Sequence, residues 1–189
     1  LGAMPVDVQE LGVDFLAADG HKWLLSPEGC AILYVHEDLV EMLHPVLVGW
    51  MSMINATDYG RYQFQFKTDA SRFEPGSYNV PGILALGASM ELLLEIGMDC
   101  VWARIDALTT RLCKGLQAKG YPIVSPRGSG QRSGIVIFES PETGPSAPRI
   151  VKDLKEQGIV IVIREGRLRA SPHFYNTEEQ VDTLIEALP

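Results

Sequence analysis

Apolar residues along this chain fall into runs of two kinds, and their periods predict the elements. Short, near-continuous runs at Phe15 to Ala18 and Cys30 to Val35 (CAILYV) have the length and composition of strands covered on both faces, as in a parallel sheet. A helical period links Ile83, Leu84, Leu86, Leu92, Leu93 and Ile96, in a helix that Pro81 starts and Gly97 stops. A second helix runs from about Asp99 to Lys119 and ends at Gly120. Then come a strand at Ile135 to Phe138, a helix at Arg149 to Gln157, and a strand at Ile159 to Ile163 with Arg167 to Ala170 as its hairpin partner. Thr177, followed by Glu178, Glu179 and Gln180, caps a last helix reaching Leu188. Upstream, Leu1 to Leu11 reads as an amphipathic turn or short helix, and Glu37 to Leu43 as a short helix ended before Pro45. The stretch from Trp50 to Ser71 is polar, aromatic and without period, the kind of long excursion that carries function or contacts a partner.

The pattern changes character near Gly97. Residues 1–97 read as a piece of parallel α/β sheet and residues 98–189 as a small α+β unit. With 46% apolar residues in 189, there is material for one good core or two small ones. A formal charge of −8, with 16 Lys and Arg scattered rather than striped, excludes a nucleic-acid partner. Glu91 and Glu95 interrupt the longest apolar stretch, Pro81 to Met98, which reads as a core helix and not a membrane span. Cys30, Cys100 and Cys113 have neither CxxC spacing nor a pairing scheme, so a reducing, cytoplasmic setting and no metal site are expected. The chain opens at Leu1 without an initiator methionine or a signal peptide and reads as a piece of something longer.

Three motifs carry chemistry. Gly20, His21 and Lys22 place a lysine at a glycine-loosened turn before a strand, where an amine can serve as a covalent catalyst or simply as a loop charge. In RFEPGSYN (Arg72 to Asn79), Gly76 allows close backbone approach, and Ser77 offers a hydroxyl and an amide ahead of the Pro81 helix. That is either an anion site or an ordinary helix cap. In RLRASPHFYNT (Arg167 to Thr177), alternation puts Arg167 and Arg169 on one strand face; an arginine fork fits a carboxylate, and a surface ion pair is the plainer role. His173, behind Pro172, reads as a packed or capping residue.

In this order and spacing, DGHKW, RFEPGSYN and LRASPHFYNT resemble the class V aminotransferase group of fold-type I pyridoxal-phosphate enzymes, which includes cysteine desulfurases and isopenicillin N epimerase-like proteins. The likeness covers essentially the whole chain and matches the C-terminal half of a full-length member. It implies an α/β fold: part of a three-layer αβα large domain over residues 1–97, and a small α+β domain over 98–189. It makes pyridoxal 5'-phosphate the cofactor, an amino acid the substrate, and Lys22 the Schiff-base lysine and proton carrier. His21 is then a contact near the cofactor phosphate, and Gly76 and Ser77 reach the phosphate of a neighbouring subunit in a homodimer. Arg169 binds the substrate α-carboxylate, and Asn79 shapes that substrate-binding loop. Trp50, Tyr59, Tyr62 and Phe66 either border the substrate or pack an interface.

Departures from the family pattern narrow the reading. Asp19 stands two residues before His21, where members often have serine, and Ser77 stands where they usually have threonine. Desulfurases carry a nucleophilic cysteine just before the carboxylate-binding arginine; the interval REGRLR (Arg164 to Arg169) is short and has none, which disfavours persulfide chemistry. The family's aspartate partner of the pyridine nitrogen lies further upstream of the lysine than Asp7 or Asp14, so these residues alone are expected to bind the cofactor poorly. Transamination, epimerisation and elimination all remain open for the parent enzyme, as does a non-catalytic dimerisation module that keeps the scaffold.

Overall fold

Strand β1 (Phe15–Asp19) pairs with β2 (Ala31–Val35) in an antiparallel register running from Phe15 opposite Val35 to Asp19 opposite Ala31. The apolar runs predict parallel neighbours; the structure corrects this. Residues 20–30 turn without a helix, whereas a parallel crossover needs a dozen or more residues, usually helical. Nor is this two-stranded sheet covered on both faces: Phe15 and Leu33 are about half exposed, while Leu16 and Ile32 on the other side are partly buried.

The computed structural model describes residues 1–189, which divide into two compact units, Leu1–Glu95 and Ile96–Pro189. In the first, residues 1–11 form turns rather than a helix, and α1 is reduced to Glu37–Val40. The aperiodic excursion is ordered by short 3-10 turns at Trp50–Ser52 and Ala70–Phe73 and a bridge between Met53 and Phe66. Buried Arg72 ties it down: its Nη1 donates to the Val40 carbonyl at 2.9 Å, and its guanidinium lies 5.1 Å from the Phe66 ring centroid. Helix α2 (Val80–Ile96) then closes the unit.

In the second unit, helix α3 (Met98–Ala118), α4 (Ala147–Glu156) and α5 (Glu178–Ala187) accompany a sheet in the order β3 (Val136–Phe138), β5 (Arg167–Ala170), β4 (Val162–Arg164), all antiparallel. Strand β4 starts three residues later than its apolar run. The Ile159 amide is used to close α4, donating to the Leu154 carbonyl at 2.9 Å across Gly158 at φ +78°. At the other end of the sheet, Glu165 (φ +50°) and Gly166 (φ +79°) make a two-residue hairpin with both centres left-handed, the turn whose twist matches paired strands. Thr177 and Gln180 exchange capping hydrogen bonds at the start of α5.

The core sits almost wholly in this second unit. Leu108, Leu112, Leu116, Phe138, Ile150 and Leu168 are at most 1% exposed. In the first unit only Leu24, Val35, Val40, Leu86 and Leu93 are buried among apolar side chains. Helix α2 is apolar nearly all round, yet Leu84 and Leu94 are about 70% exposed. No single helix is long and apolar enough to cross a membrane.

This imbalance predicts the response to truncation. Phe138→Ala, which removes a ring packed edge-on 5.8 Å from Tyr121, should cost about 3–5 kcal/mol in urea unfolding of the 189-residue chain. Leu84→Ala on the exposed face of α2 should change it by no more than about 0.5 kcal/mol.

Candidate functional site

Lys22 lies in a turn that closes back on Gly20. The Gly20 amide donates to the Cys30 carbonyl at 3.0 Å, extending the β1–β2 ladder by one pair, and the Ser26 amide donates to the Gly20 carbonyl at 2.9 Å. A Cβ at position 20 would stand 2.7 Å from the Cys30 carbonyl oxygen and 3.2 Å from the Ser26 Cβ, so only glycine fits. Inside the loop the Leu25 amide donates to the Lys22 carbonyl at 3.1 Å, which holds Leu25 at φ +59°. A leucine in the left-handed region costs on the order of 1–2 kcal/mol, strain of the kind stored at functional sites. From outside, Gly2 at φ +86° packs against the Trp23 backbone and buttresses the same turn.

At the tip of this loop, His21 and Lys22 are exposed. The Lys22 Nζ donates to Asp19 Oδ2 at 2.5 Å. That hydrogen bond, followed by the lysine charge and a smaller contribution from His21, holds the Asp19 carboxyl below the ordinary carboxylate range. Asp19 thus turns toward the lysine, not away from it.

The second motif follows the Ala70–Phe73 turn. Gly76 has open space where a Cβ would be, and exposed Ser77 spends neither its hydroxyl nor its amide on a protein partner. Asn79 caps α2, its Oδ1 accepting from the Gly82 amide at 3.2 Å, and its Nδ2 donates to the Gly29 carbonyl at 2.9 Å. Through Asn79 the structure brings the serine loop to the end of the lysine loop. At Tyr78, which separates Ser77 from Asn79 in sequence, burial followed by the Glu74 carboxylate pushes the phenol up.

Arg169 belongs to the second unit. It sits in β5 opposite Ile137 and Val162, between Leu168 and Ala170, which face the core. Its Nε is buried without a hydrogen-bond partner, beside a cavity of about 550 Å³ lined in part by Val160, Val162, Ser171, Asn176 and Gln180. Its neighbour Arg167 is committed to Glu139 at 2.7 Å. His173 is packed: 5% exposed and stacked on Tyr175 with ring centroids 5.2 Å apart, its Nδ1 accepting from the Phe174 amide at 2.8 Å.

Of the four aromatics, Trp50, Tyr59 and Tyr62 line a surface hollow of about 470 Å³, whereas Phe66 packs under Arg72. Sequence reasoning missed the structural part of Arg72; its signal was an arginine adjoining an apolar residue in RFE. Cys113 is buried, which pushes its thiol up, Cys100 is exposed on α3, and Cys30 precedes β2.

A family model described as aminotransferase class-V matches residues 1–184. A probable cysteine desulfurase of Pyrococcus abyssi is 29% identical over 203 residues, covering 100% of this chain and 49% of that protein. An uncharacterized aminotransferase, YcbU of Bacillus subtilis, is 30% identical over 187 residues, covering 99% and 48%. Among solved structures, a lysine-to-alanine variant of C-DES with glycine covalently linked to its PLP cofactor superposes with a TM-score of 0.87 at 26% identity, over 98% of this chain and 48% of that one. The chain spans about half the length of the curated relatives it matches.

The ion pair makes the lysine turn testable. A carboxylate whose folded pKa is depressed adds stability above its unfolded value of about 4 and loses it as pH falls through the folded value. In Lys22→Ala the Asp19 titration, followed by carboxyl-carbon NMR, should move up toward that ordinary value; an unchanged midpoint would mean the pair does not form.

Proposed function

The chain belongs to the class-V aminotransferase family, and from that premise we propose that it is the C-terminal half of a pyridoxal-phosphate enzyme that acts on an amino acid through Lys22. Its mixed helix-and-sheet fold matches about half of each solved neighbour, one of which carries a PLP cofactor, and this supports the reading. In this reading residues 1–97 complete a cofactor-binding large domain and 98–189 form the small domain.

The residues present fit the cofactor. Lys22 offers an accessible amine engaged by one carboxylate, and Ser77, next to the open Gly76, offers an unbonded hydroxyl and amide. The observation that carries the reading is Arg169: it lines the cavity of about 550 Å³ and, unlike Arg167, has no carboxylate partner in the chain, so its guanidinium is left to pair with a substrate carboxylate. Bound pyridoxal phosphate would supply an aldehyde for covalent attachment and an electron-withdrawing ring. Lys22 Nζ, engaged only by Asp19, would hold the cofactor aldehyde, and once freed by the substrate amine it would, as the free amine, accept the proton of the substrate α-carbon. Arg169 orients the α-carboxylate, His21 borders the cofactor phosphate, and Gly76 and Ser77 hold the phosphate of a partner subunit in a cytoplasmic homodimer. The exposed apolar face of α2 supports a covering partner.

An aminotransferase-like outcome is favoured over persulfide chemistry by the hairpin Arg164–Arg167. Its two-residue turn, Glu165 and Gly166, has no room for a cysteine-bearing loop, and no cysteine stands near Arg169 in sequence. The 189 residues alone are expected to hold the cofactor weakly, since the Lys22 side chain is 63% exposed.

Borohydride reduction of the full-length protein with pyridoxal phosphate, followed by peptide mapping, should label Lys22, and Lys22→Ala should abolish the label and the visible absorbance. Labelling elsewhere would refute the assignment. The isolated chain should label substoichiometrically. Arg169→Ala should raise KM for the amino acid by about 10- to 100-fold, the worth of a hydrogen bond to a charged group.

A further inference from the structure

We propose that Asn79 is a positioning residue that joins the lysine loop to the serine loop so that the two move as one body. The tether is a geometric fact of this chain; its meaning for the cofactor rests on the function proposed above.

The first observation is that capping alone does not explain the residue. Serine, threonine and aspartate cap helices about as well as asparagine. Only a carboxamide accepts at one end and donates at the other. Here both ends are used: Oδ1 takes the Gly82 amide at 3.2 Å, and Nδ2 gives a hydrogen to the Gly29 carbonyl at 2.9 Å, fifty residues away in sequence.

The surroundings are built around that bridge. Gly29 adopts φ +92°, a backbone that side-chain-bearing residues rarely reach, and the position of a Cβ there is 3.5 Å from Asn79 Nδ2. At Gly82 a Cβ would stand 2.9 Å from Asn79 Cγ and 3.2 Å from the Cys30 Cβ, so the first turn of α2 packs directly on the amide and on the strand entry. At Gly82 the missing side chain leaves room for the carboxamide, and at Gly29 glycine permits the left-handed backbone whose carbonyl it reaches.

The consequence concerns Lys22. Its loop is anchored at one end by Gly20, bonded to Cys30 and Ser26, and at the other by Gly29, bonded to Asn79. The Asn79 end is carried by the segment that holds Gly76 and Ser77. One amide therefore ties the loop of the covalent anchor to the loop that, in the homodimer proposed above, holds the phosphate of the partner's cofactor, so that slack in the tether loosens both sites.

Three variants of the full-length protein separate the roles. Asn79→Ser keeps a cap but is too short to reach Gly29; Asn79→Asp keeps the cap, loses the donor and sets a charge against the Gly29 carbonyl; Asn79→Ala loses both functions. Thermal midpoints should stay near wild type for the serine and aspartate variants and fall for alanine. Amide exchange across residues 20–29 should quicken about three- to tenfold in both capped variants, and pyridoxal phosphate affinity should drop by a similar factor, with aspartate the worse. Capped variants that exchange and bind as wild type does would reduce Asn79 to a cap and overturn the proposal. If the wild-type protein fails to take up the cofactor at Lys22, the functional reading falls, while the exchange comparison still decides the tether.

Discussion

Backbone meets backbone at Gly20, and the arrangement around Lys22 depends on that contact. The Cys30 carbonyl and Ser26 crowd the space where a side chain would start, so the loop closes only because there is none. Closure turns residues 20–26 back on themselves, forces Leu25 into a left-handed backbone, and leaves Lys22 at the tip rather than against the sheet. Because the Gly20–Cys30 pair continues the β1–β2 ladder, the lysine is placed by strand register and not by its own packing. Its partner Asp19 is the last residue of β1, so the ion pair forms across the tight turn that follows the strand.

The two compact units solve different physical problems. Residues 96–189 bury a contiguous core between helices and an antiparallel sheet, so their stability rests on packing of the usual density. Residues 1–95 hold their shape mainly with directional contacts: the Gly20 closure, the Asn79 carboxamide, and Arg72 on the Val40 carbonyl and the Phe66 ring. Hydrogen bonds of this kind contribute about 1 kcal/mol each and fix geometry more than they resist unfolding. A unit with apolar helix and sheet faces open to solvent is suited to lie against further protein.

Arg169 shows how a core and a site share one strand. Alternation sends Leu168 and Ala170 inward and Arg169 to the other face. The neighbouring Arg167 is neutralised by Glu139, so the two arginines, equivalent by pattern, differ in what they have left to bind.

Much of this was legible in the residues themselves. Periodicity placed α2, α3, α4 and the hairpin, and the Thr177 capping box marked α5, because such signals are local: they depend on side chains within a turn or two of each other. The three motifs were legible for the same reason, as short spans with distinctive chemistry. Strand direction was not, since an apolar run looks alike in parallel and antiparallel pairs; nor was the late start of β4, decided by a helix-closing bond to Ile159. Local sequence therefore determined which residues carry an amine, a hydroxyl, a carboxamide and a guanidinium, and on what element each stands. Only tertiary structure decided that Asn79 bonds a loop fifty residues away and that the Arg169 Nε is buried and unpaired, because these depend on contacts between segments that no local pattern encodes.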